Sequence, residues 1–194
     1  MTTMPNARDV LDFWFGAPNT PEHGNRRDAW FKKDTAFDAE IATCFRTLWE
    51  RARDGALSDW TAARDTLLAL IVLCDQFPRN MFRGQTLAFA ADVHALAAAR
   101  NMVEHGWDLD HSLYQRAFIY LPFKHAESMA EQDRAVELFA LQRGSPDGDN
   151  YYDYALRHRA VIQQFGRFPH RNKLLGREST ADEVRYLSQP GSGF

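Results

Sequence analysis

Three short stretches of this 194-residue chain gather the side chains able to do chemistry. In the first, Asp75, Gln76, Arg79 and Asn80 bracket Phe77-Pro78; in the third, Arg167, His170, Arg171 and Asn172 bracket Phe168-Pro169. The two are nearly one word, the third carrying one inserted residue, and they run on to Gly84 and Gly176. Between them, His125 and Glu127 follow Leu121-Pro122. Guanidinium, imidazole and amide donors packed this tightly suit a phosphate or carboxylate better than a neutral ligand. His170 can act as acid or base near neutral pH, with Arg79 and Arg171 opposing developing negative charge. The chemistry this describes is binding of a small anionic molecule, with hydrolysis or group transfer on a phosphorylated or carboxylated substrate as its catalytic extension.

Each of these residues has a bland reading as well. Asp75 falls in the last turn of a helix, where the negative end of the dipole disfavours a carboxylate by roughly 0.3–1 kcal/mol, so it needs a partner. Arg79, four residues on, can supply a charge-assisted bond, and such a pair can serve only to fix a helix corner. Members of the Arg167–Asn172 turn can point to solvent or bond local carbonyls. His125 and Glu127 stand at a helix start, where a cap or an anion could use the open amides. His158 shares an apolar face with Tyr151, Ala155, Ile162 and Phe165, which reads as an inward histidine with a hydrogen-bond partner. No HExxH, CxxC pair, EF-hand loop, P-loop, dinucleotide fingerprint or GxSxG elbow occurs, so neither a metal nor a cofactor is expected.

The elements that must position these groups read as helices throughout. Between Thr35 and Asp54, Phe37, Ile41, Cys44, Phe45, Leu48 and Ala52 recur at steps of three and four, with Thr35 and Asp38 as a capping box and Gly55 as the stop. Ser58 is expected to cap a helix that is apolar on every face from Leu67 to Cys74 and ends at Pro78. Further helices are expected over Thr86 to His105, Asp110 to Leu121, Glu127 to Gln142 and about Asn150 to Phe165. The run Gly144 to Gly148 reads as a flexible loop, and capping boxes at Ser179 and Thr180 precede a short helix ending near Leu187. Strand-like alternation does not accumulate, so the expected class is all-α, a single helical domain over residues 1–194.

A net charge of −3 gives no field to attract nucleic acid. The apolar run Leu67 to Cys74 is less than half of the roughly 20 residues that span a bilayer, so no membrane is expected. Met1 to Phe15 lacks the pattern of a secretion signal, and Cys44 and Cys74 read as small core residues in a reducing compartment, which places the protein in the cytoplasm.

The words Leu73 to Asn80, Tyr120 to Glu127 and Phe165 to Asn172, with Val10-Leu11-Asp12-Phe13-Trp14-Phe15-Gly16 and Pro190 to Phe194 at the ends, resemble the signatures of a bacterial domain-of-unknown-function family, nine-twenty-four. That resemblance implies a fold similar to tetratricopeptide-repeat helical arrays and no established activity. Lys124 departs from it, standing where the family pattern has Glu before the His. A competing expectation is an interaction module without catalysis, a helical array presenting a groove to a protein partner with Trp30, Trp49, Trp60 and Trp107 as anchors.

Overall fold

The computed structural model describes residues 4–193; the first three residues of the Met1–Phe15 segment and Phe194 of the terminal word lie outside them. No strand occurs among the described residues, and the class is all-α. The helices are α1 (Ala7–Phe15), α2 (Thr35–Arg53), α3 (Arg64–Met81), α4 (Asp92–Glu104), α5 (Leu113–His125), α6 (Met129–Ala140), α7 (Pro146–Phe165) and α8 (Ala181–Leu187). The chain divides into two compact units, residues 1–83 with 87–122 and residues 84–86 with 123–194.

In the first unit α3 packs against α1, α2 and α4, which is why it can be apolar all round: Leu67 to Asp75 are all buried. Large rings fill the space beside it. Phe13 stacks on Phe37 at 5.2 Å, and Trp14 meets Phe118 edge-on at 5.4 Å. In the second unit α6 packs on α7, and Val161, Ile162 and Phe168 form a small core lined by Met129, Phe165 and Tyr186.

Several boundaries differ from those read in the sequence. Pro78 and Pro122 do not end their helices, since α3 runs to Met81 and α5 to His125. A proline removes its own N–H, yet its carbonyl still accepts, and Pro78 takes the Phe82 N–H at 2.9 Å. Only Phe168-Pro169 follows a true stop: Gly166, in the left-handed region at φ 70°, closes α7, and Pro169 opens a 3₁₀ turn to Arg171. The cap of α2 is Asp34 rather than Thr35, accepting from the amides of Ala36 and Phe37. Ser58 opens a 3₁₀ turn instead of capping α3, and Thr86 to His105 splits into a 3₁₀ turn and α4.

Of the run Gly144 to Gly148, only Gly144 and Ser145 lie outside a helix, and Pro146 to Gly148 open α7. Ser145 caps α7 by accepting the Gly148 N–H at 3.1 Å, and Pro146 sits at the first helical position. Gly148 is required there, because a Cβ would lie 1.9 Å from the Gln142 carbonyl oxygen. The Thr180 capping box with Glu183 is present as read. Cys74 is buried, but Cys44 is exposed, since α2 turns Ile41, Phe45, Leu48, Trp49 and Ala52 inward and leaves it off that face.

Candidate functional site

In the first unit, the last turns of α3 carry Asp75, Gln76, Arg79 and Asn80, and α4 begins with Asp92. Asp75 is almost wholly buried, and Arg79 lies 3.3 Å from its carboxylate while donating to its backbone oxygen at 2.6 Å. The fork of the same guanidinium grips Asp92, at 2.8 and 3.0 Å. Burial works against the charge on Arg79, but Asp75 and Asp92 outweigh it and hold the guanidinium pKa above its ordinary value. Gln76 donates to Asp75 at 2.5 Å. Asn80 accepts from Arg83, whose fork is engaged with Asp38. Arg79 is therefore a cation held between two carboxylates at a helix corner.

In the second unit the turn after Gly166 spreads its donors over several jobs. Arg167 pairs with the buried Glu183 through both carboxylate oxygens, at 2.7 and 2.8 Å, and also reaches the Glu178 carbonyl. The Arg167 bonds hold the Glu183 carboxyl down to about 2. Asn172, fully inside, donates to Ser179 and accepts from Arg177. Glu127 accepts from Arg177 at 2.6 and 3.0 Å and from the Phe168 N–H at 2.8 Å. Burial raises the Glu127 pKa, and these bonds, with the charges of Arg177 and Arg171, more than reverse it.

The remaining groups form a row of rings flanked by cations. His125 lies 6.4 Å from His158, His158 5.6 Å from Phe168, and Phe168 5.6 Å from His170, centre to centre. The Arg171 guanidinium lies 4.6 Å from the Phe168 ring centre, and the Lys124 ammonium 5.3 Å from that of Phe139 and 5.8 Å from that of Tyr154. Arg171 and Lys124 are each only 7 % exposed. His158 Nδ1 is 2.8 Å from the Tyr154 carbonyl, and since a carbonyl only accepts, that nitrogen carries the hydrogen. Burial first, then the positive charges of Lys124, His125 and Arg171, push the His158 pKa far down. Burial and Arg171 bring His170 to about 4, against the opposite pull of Glu127. Both rings are held in the neutral form at pH 7. Among the described residues no group of three or more His, Cys, Asp or Glu side chains is placed to hold a metal.

Residues 10–191 match the family described as bacterial protein of unknown function (DUF924). The chain belongs to that family. It is similar to the solved structure of a protein of unknown function from Agrobacterium tumefaciens, at 40 % identity and a TM-score of 0.83, covering 94 % of this chain and 96 % of that one. No curated protein matches the chain.

Within this family member, the site residues read from sequence thus fall into three sets. Asp75, Gln76, Arg79 and Asn80 are in the first unit, bound into one corner. Arg167, Glu127 and Asn172 are in the second, each bonded to a partner in the same unit. His125, His170 and Arg171 belong to the ring row, with Lys124 and His158. Sequence reasoning missed Asp92, Arg177 and the ion-pair role of Glu183. Asp92 was hidden by reading one helix through Thr86 to His105, and Glu183 by its role as a cap. Arg177 follows the third word by only five residues, and a charge count around Glu127 would have pointed to it.

Proposed function

We propose that the protein binds a small anionic ligand, a phosphorylated or carboxylated molecule, at the face of the second unit formed by Lys124, His170 and Arg171. The observation that supports this reading is the density of basic side chains around His158: Lys124, His125 and Arg171 all act on it, and Arg177 and Arg167 bond the carboxylates Glu127 and Glu183, the first of which Arg171 also acts on. Buried positive charge gains most from an anion that arrives with the ligand, because the interior screens it poorly. His170, neutral at pH 7, is the group placed to take a proton if the ligand is also a substrate, so hydrolysis or group transfer is the catalytic form of the same proposal. The earlier candidates Arg79 and Arg167 are left out of the ligand set because carboxylates occupy their forks.

A cytoplasmic setting fits the free thiols Cys44 and Cys74, and no helix among the described residues is long and apolar enough to cross a membrane. The pairings of α3 with α4 and of α6 with α7 are what supports a tetratricopeptide-like arrangement. The groove-type interaction module is the weaker reading, since Trp30 and Trp49 are buried and Trp60 and Trp107 half-buried.

Phosphate tests the proposal. A ligand that binds only the native state raises its stability by mass action, about 2.7 kcal/mol at a hundred times Kd. Melting curves in phosphate against chloride at matched ionic strength should show a rise in Tm that Arg171→Gln abolishes. Superimposable curves for the wild type would remove the proposal.

A further inference from the structure

The end of α7, the turn after Gly166 and the start of α8 border a cleft of about 360 Å³ in the second unit, lined by Gln164, Phe165, Arg167, Thr180, Asp182 and Glu183. Small-molecule sites run from roughly 300 to 1,000 Å³. None of these side chains belongs to the anion face proposed above, so the two readings stand or fall separately. Arg167 spends three of its five N–H donors, on Nε and Nη2, on Glu183 and the Glu178 carbonyl; the two on Nη1 have no partner among the described residues. The exposed Gln164 amide has none either, and Thr180 accepts the Glu183 N–H with its hydroxyl hydrogen still to donate. Asp182 is bonded by Arg185 of its own helix through one carboxylate oxygen, which leaves the other to accept. We propose that this cleft binds a free amino acid with an apolar side chain, its carboxylate on Arg167 and its ammonium beside Asp182.

Charge selects a zwitterion over a simple ion. Arg167 is answered by Glu183 and Asp182 by Arg185, so the surroundings are formally neutral, and an ion of either sign would bring charge that nothing there balances. A zwitterion brings no net charge, yet each of its ends meets what those pairs leave over. The open edge of a guanidinium takes a second carboxylate readily in this molecule: one nitrogen of Arg79 in the first unit lies 3.3 Å from Asp75 and 2.8 Å from Asp92. The Gln164 amide and the Thr180 hydroxyl can donate to the same ligand carboxylate, and the unbonded oxygen of Asp182 accepts from the ammonium. Phe165, half-buried and 5.2 Å from Tyr186 between ring centres, supplies the apolar wall for the side chain. The result is a site that reads the two charges flanking an α-carbon together and discriminates against molecules that carry only one.

Phenylalanine, hydrocinnamate and phenethylammonium are the probes, since they share a ring and a short chain and differ in the charges they carry. Titrations of the isotope-labelled protein followed by NMR should shift the amides of Gln164, Phe165 and Thr180, with phenylalanine bound about tenfold more tightly than either of the others at pH 7 and equal ionic strength. Asp182→Asn should reduce phenylalanine to the affinity of hydrocinnamate. Gln164→Ala should weaken phenylalanine and hydrocinnamate alike and leave phenethylammonium unchanged. Both positions are exposed, so the spectrum away from the cleft should stay as it is. Arg167→Gln should abolish the preference for phenylalanine over phenethylammonium; because it also releases the buried Glu183, the two exposed variants decide the matter if it fails to fold. Equal affinity for phenylalanine and hydrocinnamate overturns the zwitterionic ligand. Absence of any shift at these amides up to the solubility limit of phenylalanine overturns the site.

Discussion

The two units bury arginine in different ways. In the first, Arg79 is enclosed by Asp75 and Asp92, a cation answered by two carboxylates of the same unit, beside a core of stacked and edge-on rings. In the second, Arg171 lies over the face of Phe168, in a row that contains two neutral histidines, and acts together with Arg177 on Glu127, while Arg167 holds Glu183. The near-identical words Gln76 to Asn80 and Arg167 to Asn172 therefore do different work. A motif rich in arginine is spent on the fold where carboxylates of its own unit enclose the guanidinium, as Asp75 and Asp92 enclose Arg79.

The contrast can be broken most forcefully in the first unit. Removing one member of a buried pair leaves the other charge without compensation, so Arg79→Leu should cost about 3–5 kcal/mol in urea unfolding. In a cycle with Asp75→Asn, the double variant should be clearly more stable than the sum of the two losses implies. Additive losses below 1 kcal/mol would show that the corner is not held by this pair.

Acid should act through the second unit. His158 and His170 have folded pKa values below the ordinary 6.5. Above 6.5 they are neutral folded or unfolded; below it the unfolded chain binds protons that the folded chain does not, so stability falls with pH. For His170 the loss is complete near pH 4, while for His158 it continues further down. Between pH 6.5 and 5 it should amount to about 1–2 kcal/mol at buried His158 and less at half-buried His170. His158→Phe should flatten the dependence of the urea midpoint on pH over that window. An unchanged slope would mean that His158 is not held neutral.

The smallest effects belong to pairs at the surface of either unit. Arg64 with Asp110 in the first and Arg157 with Asp153 in the second are both more than half exposed, and replacing either arginine by Ala should change stability by about 0–1 kcal/mol. A larger loss at either would show that the contrast is not confined to buried charge.

The helical class, the inward face of α7 and the Asp75–Arg79 pair were legible because each rests on spacing of three or four residues along one helix. What was hidden depends on partners distant in sequence. Asp92 meets Arg79 thirteen residues away, Arg177 meets Glu127 fifty residues away, and Glu183 meets Arg167 sixteen away. Prolines misled in the other direction. Pro78 and Pro122 were read as stops, but a proline in the last turns of a helix deletes one hydrogen bond and leaves the carbonyls after it free to accept. The proposed ligand set was half legible: His170 and Arg171 stood out by type, whereas Lys124 looked like an intrusion in its motif and His158 like packing.

The placement of the two cysteines has a kinetic consequence. Cys44 faces solvent, and Cys74 lies fully inside α3, where burial, with Asp75 and Asp92 nearby, pushes its thiol pKa well up. A thiol reagent therefore meets one site at once and the other only when α3 opens, since the reactive thiolate is both rare and shielded. The molecule carries its own clock for the first unit: the slow phase of modification times the opening of its central helix, with the fast phase as an internal standard.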